Sequence, residues 1–137
     1  MPGIRRILET SLYSDDPDRL AAFYGALLER SPMVSTPRLI AFDAGEGTVL
    51  LIFKRGATLV PFPTQGGVLP SHDGHGPAHF AFAIDRDAAP AWIARLAALD
   101  VPIEGRVRWA RGGESVYFRD PDGHSVELAT PGLWPVY

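Results

Sequence analysis

Hydrophobic and polar positions alternate near the start of the chain and then recur at helical spacing. The alternation over 4–13 predicts a strand, and Asp16 followed by Pro17 is a typical helix start. One face of the strand carries Leu8, Thr10 and Leu12, and the other carries Ile7, Glu9, Ser11 and Tyr13. The helix has one apolar stripe, made of Leu20, Phe23, Tyr24, Leu27 and Leu28. Such a stripe is expected to pack against a sheet.

Strand signals follow the helix, and a long loop comes after them. Residues 33–35 give a weak strand signal, whereas 38–44 and 48–54 predict a hairpin around the Gly45-Glu46-Gly47 turn. Residues 56–77 are rich in proline and glycine, so a loop is predicted there. Loops of this length in compact domains are often functional.

The pattern restarts after the loop. A strand is predicted over 78–84, and Asp87 is the expected cap of a helix that runs to about Leu99 with Pro90 in its first turn. Turn residues then separate three further predicted strands, at 103–109, 114–119 and 125–129. The order is therefore βαβββ twice, with a period of about 70 residues.

This repeat predicts one α+β domain built from two modules. We expect a single domain over 1–137, in which each helix covers the outer face of a curved mixed sheet and the opposite sheet faces form a cup. The expected divisions are module one at about 4–55, the loop at 56–77, module two at about 78–130 and a tail at 131–137.

The composition narrows the functional class. A chain of 137 residues with 46% hydrophobic and 21% charged residues is typical of one globular domain. The net charge of −3, with no basic run longer than Arg5-Arg6, argues against nucleic-acid binding. The sequence has no apolar segment typical of a membrane span or a signal peptide, so we expect a cytoplasmic protein. Because there is no cysteine, a thiolate metal site is excluded.

Three predicted strands each place a potential metal ligand on the face away from the helix. Because side chains alternate along a strand, Leu8 and Leu12 on the helix side put Glu9 on the other side. The same alternation places His79 and Glu127 away from the core. Each residue taken alone is more typical of a side chain that faces water. Two carboxylates and an imidazole on equivalent faces of corresponding strands favour a shared metal site.

Three segments carry motifs of a known family. They are Leu8 to Tyr13 with Asp16 and Ala22-Phe23-Tyr24, then Gly76 to Phe82, and finally Tyr117-Phe118-Arg119-Asp120-Pro121-Asp122-Gly123-His124-Ser125-Val126-Glu127-Leu128. Together they resemble the vicinal oxygen chelate superfamily, which includes glyoxalase I, extradiol dioxygenases, fosfomycin-resistance enzymes and bleomycin-resistance proteins. The resemblance covers nearly the whole chain, and the closing motif is specific for the fold rather than for the reaction.

The resemblance implies a metal site made of Glu9, His79 and Glu127. The family's first-strand ligand falls on Glu9, its fifth-strand histidine on His79 and its last-strand glutamate on Glu127. A divalent Mn, Fe, Ni or Zn ion suits these donors, and its open positions would accept a substrate with two adjacent oxygens. Glyoxalase I adds a glutamate at the position of Leu51, and dioxygenases use a second histidine where this chain has Glu9. The chain therefore departs from both patterns.

The same resemblance favours a metal-dependent enzyme of the lyase or isomerase type, with a small-molecule substrate. Glu127 is the expected catalytic residue, because it can leave the metal to move a proton. Thiol opening of an epoxide, as in fosfomycin resistance, and dioxygenase chemistry are the less favoured reactions. The other alternative is a metal-free protein that sequesters a drug, as bleomycin-resistance proteins do. A binder of this kind has no need of three converging ligands.

Expected substrate contacts are Trp109, Arg111 and Tyr117 in module two and Leu51 in an apolar cup wall. Tyr117 is interpreted either as a hydrogen-bond donor to substrate or as ordinary packing, and Arg111 either as a contact for an anionic substrate or as a solvated turn charge. The remaining histidines are expected to be exposed, with a role at the metal site as the alternative for the first two: His72, His75 and His124.

The resemblance also implies a homodimer with shared active sites. In similar two-module proteins the two halves of one cup come from different subunits. We therefore expect each site to take Glu9 from one chain and His79 with Glu127 from the other, around a two-fold axis. The apolar tail at 133–137 is expected to dock against the body of the protein or its partner.

Overall fold

The computed structural model describes residues 1–137 and divides them into two compact units, Met1–His75 and Gly76–Tyr137. Each unit has one helix and a four-stranded sheet of the same order, in which the first strand lies at an edge and runs parallel to the fourth. The predicted α+β class with two βαβββ modules is confirmed. Neither helix is long and apolar enough to cross a membrane.

The first unit contains six strands and one helix. They are β1 (Glu9–Ser14), α1 (Pro17–Leu28), β2 (Val34–Ser35), β3 (Leu39–Gly45), β4 (Thr48–Lys54), β5 (Phe62–Thr64) and β6 (Gly67–Leu69). The sheet order is β1-β4-β3-β2, and β5 and β6 form a separate hairpin. The helix begins as predicted, because the Asp16 side chain accepts a hydrogen bond of 3.2 Å from the backbone N–H of Arg19 and Pro17 follows the cap.

The sheet of the first unit is apolar on both faces. Its helix side holds a core whose members are at most 2% exposed: Leu12, Leu20, Tyr24, Leu27, Ile40, Phe42, Leu50 and Ile52. The opposite face, which we name inner face 1, carries a second cluster made of Ala41, Leu51 and Phe53, with Tyr13, Leu39 and Val49 packed against it. Leu51 therefore lies in an apolar wall, as the alternation of β4 predicts.

The second unit contains four strands and one helix. They are β7 (His79–Ala83), α2 (Ala89–Ala98), β8 (Ile103–Arg108), β9 (Glu114–Arg119) and β10 (Ser125–Ala129), and the sheet order is β7-β10-β9-β8. On the helix side the core residues are fully buried: Leu96, Val116, Phe118, Val126 and Leu128. The opposite face, named inner face 2, is polar and carries His79, Ser115, Tyr117 and Glu127. The two inner faces therefore differ in chemistry although the sheets share one topology.

Two predicted boundaries were wrong, namely the start of the first strand and the cap of the second helix. The first strand begins at Glu9 rather than Ile4, and Leu8 lies before it with 54% of its surface exposed. The start of β4 sets this limit, because the pairing of β1 with β4 begins at Glu9 and Val49. The cap of α2 is Ala88 rather than Asp87, and no side chain caps this helix.

The predicted loop over 56–77 contains regular structure that the sequence pattern did not indicate. The short strands β5 and β6 pair antiparallel within it, and the Thr64 hydroxyl donates a 2.5 Å hydrogen bond to the carbonyl of Gly67 across the turn. Each strand has only three residues, which is too short for an alternation signal.

Two of the three histidines expected to be exposed are not. His72 is half-buried, with its Nδ1 atom 2.6 Å from the Tyr13 hydroxyl. His124 is only 3% exposed, and its Nδ1 atom lies 2.7 Å from Oδ2 of Asp120. Only His75 is exposed, as expected. A loop position alone did not reveal these partners, because Tyr13 is distant in sequence from His72 and because the turn conformation brings Asp120 onto His124.

The tight turn between β9 and β10 is built around the carboxylate of Asp120. Its Oδ1 atom accepts hydrogen bonds of 3.0 Å from the backbone N–H groups of Asp122 and His124, and its Oδ2 atom faces the His124 ring. The hydrogen bond to Asp120 raises the pKa of His124 above its usual value, although burial acts in the opposite direction. The protonated imidazole is thus favoured in the folded state.

We expect Asp120→Asn to destabilise the protein in a pH-dependent way. Because the folded pKa of His124 is raised, the charged pair stabilises fully below the unfolded histidine pKa of about 6.5 and loses this contribution as pH rises through the folded value. The loss in unfolding free energy should be about 2 kcal/mol at pH 6, since hydrogen bonds to charged groups contribute roughly 1.5–3 kcal/mol, and smaller at pH 9. Urea unfolding of both proteins at several pH values measures it, and a pH-independent difference would contradict the assignment.

Candidate metal centre

Two of the three predicted ligands meet on inner face 2. His79 opens the edge strand β7, and β10 runs parallel beside it with Ser125 opposite His79. Glu127 lies two residues further along the same face, which brings its Oε1 atom to 3.3 Å from Nε2 of His79. Metal bonds of about 2.1 Å in tetrahedral geometry place two ligand atoms roughly 3.4 Å apart. The observed separation therefore fits a shared divalent cation.

The imidazole of His79 is oriented for metal binding. Its Nδ1 atom lies 3.0 Å from the carbonyl oxygen of Ser125. A carbonyl can only accept, so Nδ1 donates and the lone pair of a neutral ring lies on Nε2, toward Glu127. Metal-bound histidines usually have this second hydrogen bond, which fixes the tautomer and the ring orientation.

A hydrogen-bond relay orients the carboxylate of Glu127 in the same sense. The Trp109 indole N–H donates to Oγ of Ser115 at 2.8 Å, and the Ser115 hydroxyl donates to Oε2 of Glu127 at 2.5 Å. One oxygen is therefore engaged by the protein, and the other faces His79. Glu127 is only 5% exposed, so this carboxylate is held in place where a negative charge is costly without a cation.

Ser115 is the functional candidate that sequence reasoning missed. It is fully buried, and its place opposite Ala129 in the antiparallel β9–β10 pair puts it one step from Glu127. The sequence offered one signal, since Ser115 lies two residues before Tyr117 and therefore shares its face of the strand. The relay itself depends on the register between strands, which the sequence does not state.

Tyr117 lies directly opposite Glu127 in the register of β9 and β10. Its ring stacks on that of His79, with 6.1 Å between the centroids. Burial and the nearby charge of Glu127 raise the pKa of Tyr117. The phenol therefore keeps its proton at neutral pH and adds a hydrogen-bond donor beside the two ligand candidates. The sequence analysis named this residue as a substrate contact, and its position remains compatible with that prediction.

Arg111 lies apart from this network. It sits in the exposed turn between β8 and β9 and makes no ion pair or side-chain hydrogen bond. The turn is fixed from the other side, because the backbone N–H of Gly113 donates to the carbonyl of Gly132 at 3.2 Å. Arg111 itself is exposed to solvent.

Glu9, the third predicted ligand, belongs to inner face 1. It is the first residue of β1, exposed, paired in register with Val49, and without an ion-pair partner. The chain has no group of three or more His, Cys, Asp or Glu side chains arranged to hold a metal ion. His79 and Glu127 thus supply two donors that fit a cation, and the assignment of Glu9 remains a prediction.

Comparison with known proteins decides the family. The family model described as Glyoxalase/Bleomycin resistance protein/Dioxygenase superfamily matches residues 6–128. The chain belongs to this superfamily. The resemblance inferred from its motifs is thereby confirmed, and the matched span covers both units.

Solved structures of other proteins share this fold. Lactoylglutathione lyase from Agrobacterium tumefaciens superimposes with a TM-score of 0.87 and 34% identity, over 98% of this chain and 99% of that one. The oxidase ChaP-H2 superimposes with a TM-score of 0.67 over 94% of this chain and 95% of that one, but at 19% identity it shows the fold alone.

The curated proteins that this chain resembles are metallothiol transferases called FosB. The protein from Staphylococcus epidermidis (strain ATCC 12228 / FDA PCI 1200) is 36% identical over 79 residues, which cover 57% of this chain and 56% of the relative. The protein from Shouchella clausii (strain KSM-K16) is 32% identical over 119 residues, which cover 85% of this chain and 73% of the relative. The match to the first therefore spans only about half of its length.

We expect Ser115→Ala to weaken metal binding without removing a ligand. The substitution releases Oε2 of Glu127, so the carboxylate loses its fixed orientation, and changes of this kind typically cost 10–100-fold in metal affinity. Competition with a fluorescent zinc chelator measures the dissociation constant. Ser35→Ala, at an exposed position on β2, is the matched control and should bind like wild type. Equal affinities for Ser115→Ala and the control would show that the relay does not position Glu127.

Proposed function

We propose that this protein is a metal-dependent enzyme of the glyoxalase type, acting on a small substrate that chelates a divalent ion through two adjacent oxygens. The observation that carries this proposal is the geometry of His79 and Glu127. Nδ1 of His79 is bound by the Ser125 carbonyl and Oε2 of Glu127 by the Ser115 hydroxyl. The remaining atoms, Nε2 and Oε1, face each other. Two ligand atoms 3.3 Å apart have the spacing that a shared cation requires.

The donor set suits Mn²⁺, Fe²⁺, Ni²⁺ or Zn²⁺, since it combines carboxylate oxygen with imidazole nitrogen. We propose Glu9 as the third ligand, so that two carboxylates neutralise the divalent charge. When bound, the ion would polarise a substrate oxygen and stabilise negative charge that develops there. Every ligand candidate is an oxygen or a nitrogen, which suits a substrate that chelates through oxygen.

The residues around the pair supply the remaining chemistry. Glu127 is the proposed proton carrier, because its Oε1 atom lies beside Nε2 of His79 while Ser115 holds the other carboxylate oxygen. Tyr117 keeps its phenolic proton and can donate it in a hydrogen bond to a substrate oxygen. Trp109 and Leu51 are proposed as apolar contacts for the substrate, and an exposed Arg111 as a contact for an anionic group at the rim. Proton transfer by Glu127 within a metal-bound substrate would be lyase or isomerase chemistry.

A second candidate reaction is thiol transfer, which is supported by the names of the curated relatives. The curated relatives described above are metallothiol transferases, whereas the structure with the 0.87 TM-score is a lactoylglutathione lyase. The two reactions need different assays on the same metal-loaded protein. One assay follows lactoylglutathione, and the other follows consumption of a thiol by an epoxide. Activity in the first alone supports the lyase proposal, and activity in the second alone would replace it.

We further propose that the protein is a homodimer whose sites are shared between chains. Glu9 is exposed and has no partner, at the start of an edge strand. The stretch just before it, 4–8, exposes three apolar side chains beside Arg5 and Arg6: Ile4 is 95% exposed, Ile7 79% and Leu8 54%. A second chain can cover this stretch and bring its own His79 and Glu127 to Glu9. A two-fold axis then produces two equal sites.

Subunit complementation tests this arrangement. Glu9→Ala and His79→Ala should each purify with little metal. After mixing and subunit exchange, each heterodimer should regain one intact site and carry one site that lacks both residues, so metal content should rise above that of either variant. Plasma emission spectroscopy measures the metal, and native mass spectrometry measures the exchange.

The matched control pairs Glu46→Ala with His75→Ala, which are exposed residues outside the proposed site and should retain full metal before and after mixing. Full metal in His79→Ala would refute the site assignment itself. Exchange of subunits without recovery of metal would place all ligands in one chain and contradict the shared site.

A further inference from the structure

The ring of Phe53 is the centre of a polar and aromatic cluster on inner face 1. The Tyr13 ring stacks on it with 5.7 Å between centroids, and the His72 ring meets it edge-on at 4.6 Å. The guanidinium carbon of Arg38 lies 5.7 Å from the same centroid. Three side chains that can donate hydrogen bonds therefore surround one buried ring, on a face that is otherwise apolar.

Arg38 differs from the paired arginines of this chain. Arg30, Arg55, Arg106 and Arg119 each form an ion pair with a carboxylate. Arg38 forms none, and its Nε atom is buried without a hydrogen-bond partner. The guanidinium is instead held between two rings, since its carbon lies 4.4 Å from the centroid of Phe62 on β5 as well as near Phe53. Cation–π contacts fix its position and leave its donors available.

The Tyr13–His72 pair adds a second donor to this cluster. The Tyr13 hydroxyl is 2.6 Å from Nδ1 of His72, and burial followed by the nearby charge of Asp73 raises the Tyr13 pKa. Tyr13 therefore keeps its proton and can donate it to Nδ1, which leaves the proton of a neutral His72 on Nε2. The Asp73 carboxylate accepts the backbone N–H of Gly56 at 3.2 Å and forms no ion pair with Arg38.

This cluster is separated from Glu9 along the sheet. Glu9 pairs with Val49 at one end of the β1–β4 ladder, and Tyr13 pairs with Phe53 near the other end. Four residues of extended strand span about 13 Å. Arg38 directly precedes β3, whose first residue, Leu39, pairs with Phe53. The guanidinium thus lies at the end of inner face 1 away from Glu9.

We propose that Arg38, framed by Phe53 and Phe62 beside the Tyr13–His72 pair, is a subsite for an anionic group of the substrate, a carboxylate, phosphate or phosphonate. The guanidinium offers a planar set of donors that matches two oxygens of such a group. The ring of Phe53 is only 7% exposed and shields one side of the guanidinium from water, which strengthens the charge interaction. One consequence rests on the proposed metal site as well. If a metal is held at Glu9, the subsite selects an extended substrate whose anionic group lies about 13 Å from Glu9.

The test is an NMR titration of the full chain with three probes: acetate, inorganic phosphate and methylphosphonate, at constant ionic strength. Zinc-loaded protein is used, because zinc is diamagnetic. The side-chain Nε–H resonance of Arg38 and the ring resonances of His72 should shift saturably with at least one probe. The probe that binds most tightly identifies the anionic group.

Arg38→Met should raise the dissociation constant at least ten-fold, as followed on the His72 ring, and Arg38→Lys should fall between Arg38→Met and wild type. Arg55→Met removes an exposed, ion-paired arginine of the same unit and should bind like wild type. The proposal is overturned if no probe shifts Arg38 or His72, if Arg38→Met binds as wild type does, or if Arg38→Lys binds no better than Arg38→Met while both variants remain folded by circular dichroism.

The two proposals can fail separately in this experiment. Arg38→Met should retain the wild-type metal content, because it leaves His79 and Glu127 unchanged. Probe binding at Arg38 in a protein that takes up no metal would support the subsite and refute the metal-dependent function. Probe shifts confined to His79, and unaffected by Arg38→Met, would show that the anion binds at the metal and would refute the subsite.

Discussion

The buried carboxylate of Glu127 is the constraint on which the second unit depends. A negative charge that is only 5% exposed must be compensated: the Ser115 hydroxyl donates to one oxygen, and the proposed cation would lie between the other oxygen and His79. Trp109 fixes the serine, and the Ser125 carbonyl fixes the imidazole. These contacts specify a geometry more than they add stability, since a hydrophobic pair would fill the same place at lower cost.

The two sheets show how one topology carries two kinds of surface. Both have the same strand order and the same parallel edge pairing, and both pack a helix on one face. Inner face 2 is polar around Glu127, whereas inner face 1 is apolar between Glu9 and the cluster around Phe53. The superfamily includes proteins with different reactions on this frame, so the fold cannot decide the chemistry. The side chains on the inner faces must decide it.

Strand alternation predicted more of the site than any other signal in the sequence. It placed Glu127 between two core residues and His79 on the face away from the core, because period-two geometry fixes faces without knowledge of neighbours. It could not find the relay from Trp109 through Ser115, which depends on the register of β8 and β9 beside β10. His72 was misjudged because its partner, Tyr13, is distant in sequence, whereas His124 was misjudged because the turn buries it against the nearby Asp120.

The central claim is that His79 and Glu127 hold a divalent ion through Nε2 and Oε1. Crystals of the zinc-loaded protein, measured on both sides of the zinc absorption edge, test it directly. The account predicts one strong anomalous peak per site, about 2.1 Å from each of these two atoms, with Glu9 of a second copy completing the coordination. A peak bound elsewhere, or ordered protein with no peak between His79 and Glu127, would contradict it.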